Sequence, residues 1–147
     1  FRYAVVPFQG DALMADIHGL SRKWRTPVLS VQGVADQAVP GGVSLLETTT
    51  SMTCVSAIKR HQRRDSLVVR LYNLTAEPVS ETLRLGMALA AAWRIDAMEE
   101  RIEPIRRTAD RLVAVDLRPW EIVTLELELE LPSPTPATPP TSSDSAS

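Results

Sequence analysis

Residues Lys59–Thr75 read KRHQRRDSLVVRLYNLT, a polar turn followed by an alternating run that stops at Asn73. In the run, Leu67, Val69 and Leu71 point one way and Val68, Arg70 and Tyr72 the other, the period-two signature of a strand. Met52–Lys59, just upstream, is a second strand, so His61–Asp65 is the turn of a hairpin. An apolar strand face needs a second layer to bury it, which points to two packed sheets.

Working outward, the same reading places strands at Val79–Leu85, Arg111–Leu117 and Val123–Glu130. Ala76-Glu77-Pro78 turns into the first of these, where Leu83 and Leu85 share a face. In the last, Val123, Leu125, Leu127 and Leu129 alternate with Thr124, Glu126, Glu128 and Glu130. That pattern predicts one buried and one solvated face, with the glutamates opposing edge-to-edge aggregation. Met87–Ala92 has helix-forming composition, but Trp93, Ile95 and Ala97 then alternate with Arg94, Asp96 and Met98, which predicts a strand over Ala91–Met98. Val28–Val34 and Val43–Glu47 are shorter strand candidates around a loop, Asp36–Gly42. Phe1–Phe8 has strand-like character, with Pro7 near its end. One helix is predicted: Leu13, Ile17, Leu20 and Trp24 fall on one face, Asp11 is the N-cap, Gly19 weakens it by about 1 kcal/mol relative to alanine, and Thr26-Pro27 ends it.

The expected fold is therefore all-β, mainly an antiparallel β-sandwich, with one N-terminal helix and a disordered C-terminal tail. The 147 residues suffice for one domain. Residues 1–130 form it, and 131–147, rich in Pro, Ser and Thr, cannot bury apolar surface to offset ordering entropy. A net charge of −2 with both signs mixed implies no basic face and no nucleic-acid partner. No run approaches the ~20 apolar residues of a membrane-spanning helix. The single cysteine, Cys54, excludes an internal disulfide and is read as a small buried side chain, a usage that fits a reducing compartment. The chain starts at Phe1, inside strand-like sequence, and is expected to be truncated at its N-terminal side.

Few residues signal chemistry. His18 is expected exposed on the helix, off its apolar face, and His61 lies in the basic turn; neither has zinc-binding spacing, and no base for Cys54 is visible in sequence. No G-x-S-x-G elbow and no phosphate-binding glycine loop occurs. Glycoside chemistry needs two carboxylates about 5–10 Å apart across a cleft. Glu99, Glu100, Asp110 and Asp116 are considered for it, and all are read as surface charge. Lys59, Arg60, Arg63 and Arg64 are read as a solvated hairpin tip. Asn73-Leu74-Thr75 matches the N-glycosylation sequon but also suits a strand end. Trp24, Trp93 and Trp120 are sugar-stacking candidates, with Trp24 assigned to the helix's buried face and the other two to strand core. No catalytic, cofactor-binding or metal-binding residue is assigned within the chain.

Three segments carry a resemblance to the last β-domain of glycoside hydrolase family 38, the α-mannosidases. FRYAVVPFQGD (Phe1–Asp11) looks like the family's strand that introduces a helix. SAIKRHQRRDSLVVRLYN (Ser56–Asn73) is similar to its "ALKR … LVLRLYN" hairpin, and LRPWEIVTLEL (Leu117–Leu127) resembles its closing "RPFEI-TL" strand. The chain departs from the pattern at Gln62, Arg63, Arg64 and Asp65, where the family's turn carries acidic residues and glycine, and at Phe8, where it has histidine. The resemblance implies a retaining, zinc-dependent α-mannosidase as parent, whose zinc and aspartate nucleophile lie upstream. It further implies that this fragment is not catalytic alone, that it packs against upstream domains, that mannosides are partners only through the parent, that the parent assembles into a homo-oligomer, and that it is cytoplasmic, as in bacterial-type enzymes. The alternative is a free-standing carbohydrate-binding or adhesion-type sandwich, which needs at least two of Trp24, Trp93, Trp120 and Tyr72 exposed and coplanar.

Overall fold

The computed structural model of the chain describes residues 3–26, 28–29 and 44–130. Most of the predicted strand Val28–Val34, the loop Asp36–Gly42 and the tail from residue 131 lie outside the described residues. Within them the order is α1 (Ile17–Arg25), β1 (Leu46–Thr48), β2 (Thr53–Arg60), β3 (Leu67–Asn73), β4 (Val79–Leu85), β5 (Leu89–Ile95), β6 (Arg101–Pro104), β7 (Arg107–Ala109), β8 (Leu112–Leu117) and β9 (Ile122–Leu129).

The strands form two antiparallel sheets, β1-β4-β8-β7 and β2-β3-β9-β5-β6. The chain changes sheet after β1, β3, β4, β6 and β8, so neither sheet is one continuous meander. The core lies between them. β4 and β8 contribute Leu83, Leu85, Val113, Val115 and Leu117; β3 and β9 contribute Val69, Leu71, Val123, Leu125 and Leu127. These are the alternating residues of the sequence pattern. Fully burying each leucine stabilises the fold by roughly 1.5–3 kcal/mol relative to exposure.

β2–β3 is the expected hairpin, closed by the His61 N–H donating to the Ser66 carbonyl at 2.9 Å. β5 runs from Leu89 to Ile95, earlier than the predicted Ala91–Met98; Ala97 and Met98 belong to the turn into β6. The helix-forming composition of Met87–Ala92 yields to burial: Leu89 and Ala92 are core residues on a strand paired with β9. β6 and β7 have no counterpart among the predicted strands. Every residue in them is exposed, so they carry no alternation and exist through pairing with β5 and β8. Residues 3–8 adopt no regular element, against the strand-like character of their sequence.

Three further expectations are corrected. The helix starts at Ile17, not after Asp11, and its N-cap is Asp16, whose carboxylate accepts the Gly19 N–H at 3.1 Å. Asp11 instead caps the preceding turn, accepting from the N–H groups of Leu13 and Met14. Gly19 therefore has a use, because a Cβ there would meet the Asp16 carboxylate oxygen at 2.3 Å. The helix buries no residue, and Trp24 on its apolar stripe is 52% exposed rather than buried. The glutamate face of β9 is solvated only toward its end, where Glu128 is half-buried and Glu130 exposed. β9 is the central strand of its sheet, and Glu126 is 0% exposed. The glutamates guard no edge, since β2 and β6 are the edges.

Candidate functional site

Three clusters gather the titratable side chains. The first lies on the outer face of the five-stranded sheet, where the 61–66 turn meets the turn between β5 and β6. One register row runs Lys59–Val68–Glu126–Trp93 across β2, β3, β9 and β5. Glu126 accepts from Arg64 Nε (2.7 Å), Ser66 Oγ (2.8 Å), Arg101 Nε (2.8 Å) and Arg101 Nη2 (2.9 Å). Burial alone would raise its carboxyl pKa, but donors from Arg101, Arg64 and Ser66 outweigh burial and hold it down at about 2. Arg101 also pairs with Glu128 and lies 4.5 Å over the Trp93 ring, a cation–π contact.

His61 is buried beside this network, not solvated at a hairpin tip. Its Nδ1 accepts the N–H groups of Arg63 and Arg64, both at 3.0 Å, which leaves Nε2 to donate to the Glu99 carbonyl at 3.1 Å. Glu99, read as surface charge, is buried in the turn with a left-handed backbone (φ 65°). Its carboxylate binds Lys59 and accepts the Gln62 N–H, and these contacts lower its pKa. Arg64 Nη2 donates to the Glu99 carbonyl at 2.6 Å. The basic turn is thus bolted to its neighbour, while Arg60 and Arg63 make exposed pairs with Asp65 and Glu100. Such exposed pairs contribute under about 1 kcal/mol.

The second cluster surrounds Glu81, which was not among the carboxylates singled out from sequence. It occupies the inward-pointing position of β4 between Val79 and Leu83 and is fully buried. Its oxygens accept from Thr49 N–H (2.7 Å), Thr49 Oγ1 (2.9 Å), Thr50 Oγ1 (3.0 Å) and Thr53 Oγ1. Burial pushes its pKa up, but the hydroxyl and amide donors, led by Thr53, bring it below the usual value. The donors come from the 49–53 segment where the chain passes from β1 to β2, so this carboxylate fastens the two sheets at their crossover. A lone glutamate in an otherwise apolar row is the sequence signal that marks it.

Asn73, at the end of β3, is buried with every polar atom used. Its Nδ2 donates to the carbonyls of Glu77 (2.7 Å) and Arg118 (2.9 Å), and its Oδ1 accepts from the Thr75 N–H and hydroxyl, both at 2.8 Å. The sequon asparagine is thereby a turn brace whose amide is consumed inside the fold.

The third cluster sits at the other end of the same outer face. His18 Nε2 is 2.7 Å from Tyr72 Oη and 3.1 Å from Cys54 Sγ, with the His18 and Tyr72 rings edge to face. Arg22 Nη1 lies 4.0 Å from the same sulfur. Burial and the neighbouring thiol push the Tyr72 hydroxyl up to about 12, so the phenol keeps its proton. His18 is half-buried, not exposed, and supplies the neighbour for Cys54 that sequence separation conceals. Cys54 itself is buried, as expected.

Asp110 and Asp116 do not converge with the other carboxylates: Asp116 bonds Ser80, and the Asp110 carbonyl accepts from Leu89 N–H. Among the described residues, no three His, Cys, Asp or Glu side chains gather as a metal ion requires. The tryptophans separate. Trp93 lies under Arg101, whereas Trp120 is 64% exposed in the β8–β9 turn, outside any strand, with a left-handed backbone (φ 58°). A mostly apolar groove of about 940 Å³ lies between residues 3–6 and α1, lined by Tyr3, Val6, Ile17, Leu20 and Trp24 together with Lys23 and Arg25.

No curated protein sequence matches the chain. Residues 53–125, from the start of β2 to the middle of β9, match the family model described as the glycosyl hydrolases family 38 C-terminal beta sandwich domain. The match spans the Ser56–Asn73 hairpin and most of the Leu117–Leu127 strand, and the observed two-sheet architecture agrees with its description. Residues 53–125 of this sandwich are thereby identified with the glycosyl hydrolases family 38 C-terminal beta sandwich domain.

Proposed function

We propose that the chain serves as the structural C-terminal part of an α-mannosidase-type glycoside hydrolase, with bond cleavage performed by preceding domains. The observation that carries this reading is the state of the three carboxylates buried among the described residues. Glu81, Glu99 and Glu126 are each saturated by donors from neighbouring strands and turns. A general acid or nucleophile needs a carboxylate free to meet substrate across a cleft. Here that capacity goes to holding the sandwich together. Zinc and the nucleophile are assigned to the upstream part of the parent.

The apolar groove along α1 is the face assigned to those preceding domains. Tyr3 and Val6 precede α1 in the chain, and with Leu20 and Trp24 they present apolar surface on the side away from the sandwich core. The parent is assigned to the cytoplasm and to a homo-oligomeric assembly.

The test is hydrolysis of an aryl α-mannoside. Full-length protein turns it over and loses activity on zinc chelation, while the 147-residue chain is inactive with or without added zinc. Turnover by the isolated chain overturns the reading. The exposure of Trp120 favours a second reading, a carbohydrate-binding module, which predicts heat on titration with manno-oligosaccharides that Trp120→Ala abolishes.

A further inference from the structure

Helix α1 covers one end of the five-stranded sheet's outer face without entering the core. None of its nine residues is buried, and only Ile17, His18 and Gly19 are half-buried. What lies beneath it is the cross-strand pair Cys54–Tyr72, with His18 reaching both side chains and Arg22 reaching the sulfur. A helix this short does not persist in water through its own hydrogen bonds. Elements with little buried apolar surface open at a free energy far below that of global unfolding. Cys54, by contrast, is on a strand paired with β3 on both sides of a bulge at Ser56, and is only 7% exposed with α1 in place.

We propose that α1 is a lid over Cys54, latched by His18 onto Tyr72, that opens without unfolding the sandwich. The latch is polar and rests on side chains alone, so opening exchanges its contacts for water while leaving the β2–β3 ladder intact. Opening uncovers a thiol at the outer face of an edge strand. The groove is lined by Ile17, Leu20 and Trp24 of α1 itself, so a domain docked there would hold the lid down, and the proposal concerns the chain with that groove open.

The experiment is alkylation of the 147-residue chain with iodoacetamide, with Cys54 followed in its own peptide by mass spectrometry, beside hydrogen exchange of α1, β3 and β9. The expected result is that α1 amides exchange at least 100-fold faster than those of β3 and β9, and that Cys54 is alkylated much faster than β3 exchanges. His18→Ala should raise the alkylation rate about tenfold, and Tyr72→Phe, which removes one hydroxyl, several-fold, with β3 and β9 protection unchanged in both. Alkylation only as fast as β3 exchanges, or a rate unmoved by His18→Ala, overturns the proposal. The wild-type exchange comparison decides alone if a variant fails to fold.

Discussion

The chain's two histidines fasten two covers onto opposite ends of one sheet face, and they do so differently. His61 is buried, accepts two backbone N–H groups on Nδ1 and donates to a carbonyl through Nε2. His18 is half-buried, and its contacts are to the side chains of Tyr72 and Cys54. Backbone partners of a buried group become orphans when it is removed, whereas side chains at a wet boundary turn to solvent. The 61–66 turn is therefore part of the sandwich, and α1 is an attachment to it. The kind of partner, more than the number of hydrogen bonds, sets the contribution to stability.

The widest gap between the two regions should appear on truncating apolar residues. Leu125→Ala, at a fully buried site on the central strand, is expected to cost about 3–5 kcal/mol in urea unfolding. Leu20→Ala on α1, 41% exposed, should change the same transition by under about 0.5 kcal/mol. A comparable loss at Leu20 would show that α1 belongs to the core.

Acid should attack the bolted end first. The Glu126 carboxyl has its folded pKa depressed from 4.5 to about 2, so its contribution is complete above 4.5 and is lost as pH falls toward 2. The expected loss is on the order of 1–2 kcal/mol between pH 7 and pH 3, the partial exposure of Arg64 and Arg101 lowering it from the upper figure. Glu126→Gln should lower stability at pH 7 and flatten this acid limb in urea melts. An unchanged limb would assign acid sensitivity to other carboxylates.

His61→Ala and His18→Ala place the two histidines side by side. The first orphans the N–H groups of Arg63 and Arg64 and should cost about 1–2 kcal/mol in global stability. The second should cost under about 0.5 kcal/mol in global stability and show itself in exchange of α1 amides and in alkylation of Cys54. The smallest effect is at Gly19. Glycine to alanine within a helix ordinarily stabilises it by about 1 kcal/mol. Here the new Cβ would displace the Asp16 cap, so Gly19→Ala should speed α1 amide exchange rather than slow it.

Alternation was enough to locate β3, β4, β8 and β9 almost to the residue, because a strand with one core face writes its burial into period two. It could not say that the second face of β9 is also covered. A glutamate every second position reads the same whether it meets water or two arginines, and Arg64 and Arg101 stand far from Glu126 in sequence. Apolar spacing likewise announced a buried helix stripe at Leu13, Ile17, Leu20 and Trp24. Periodicity reports that a face exists and is silent on what lies against it. β6 and β7 left no trace because a short, exposed edge strand is specified by its neighbour's hydrogen bonds and not by its own side chains.

Local order in the chain thus dictated which residues face inward and where the hairpin turns, since both depend on neighbours two to six positions apart. The roles of Glu81, Glu99, Glu126, His18 and His61 came from folding alone. Each depends on groups brought together across two sheets and several turns, and the cost of burying a charge or an imidazole is met only where those distant donors and acceptors converge.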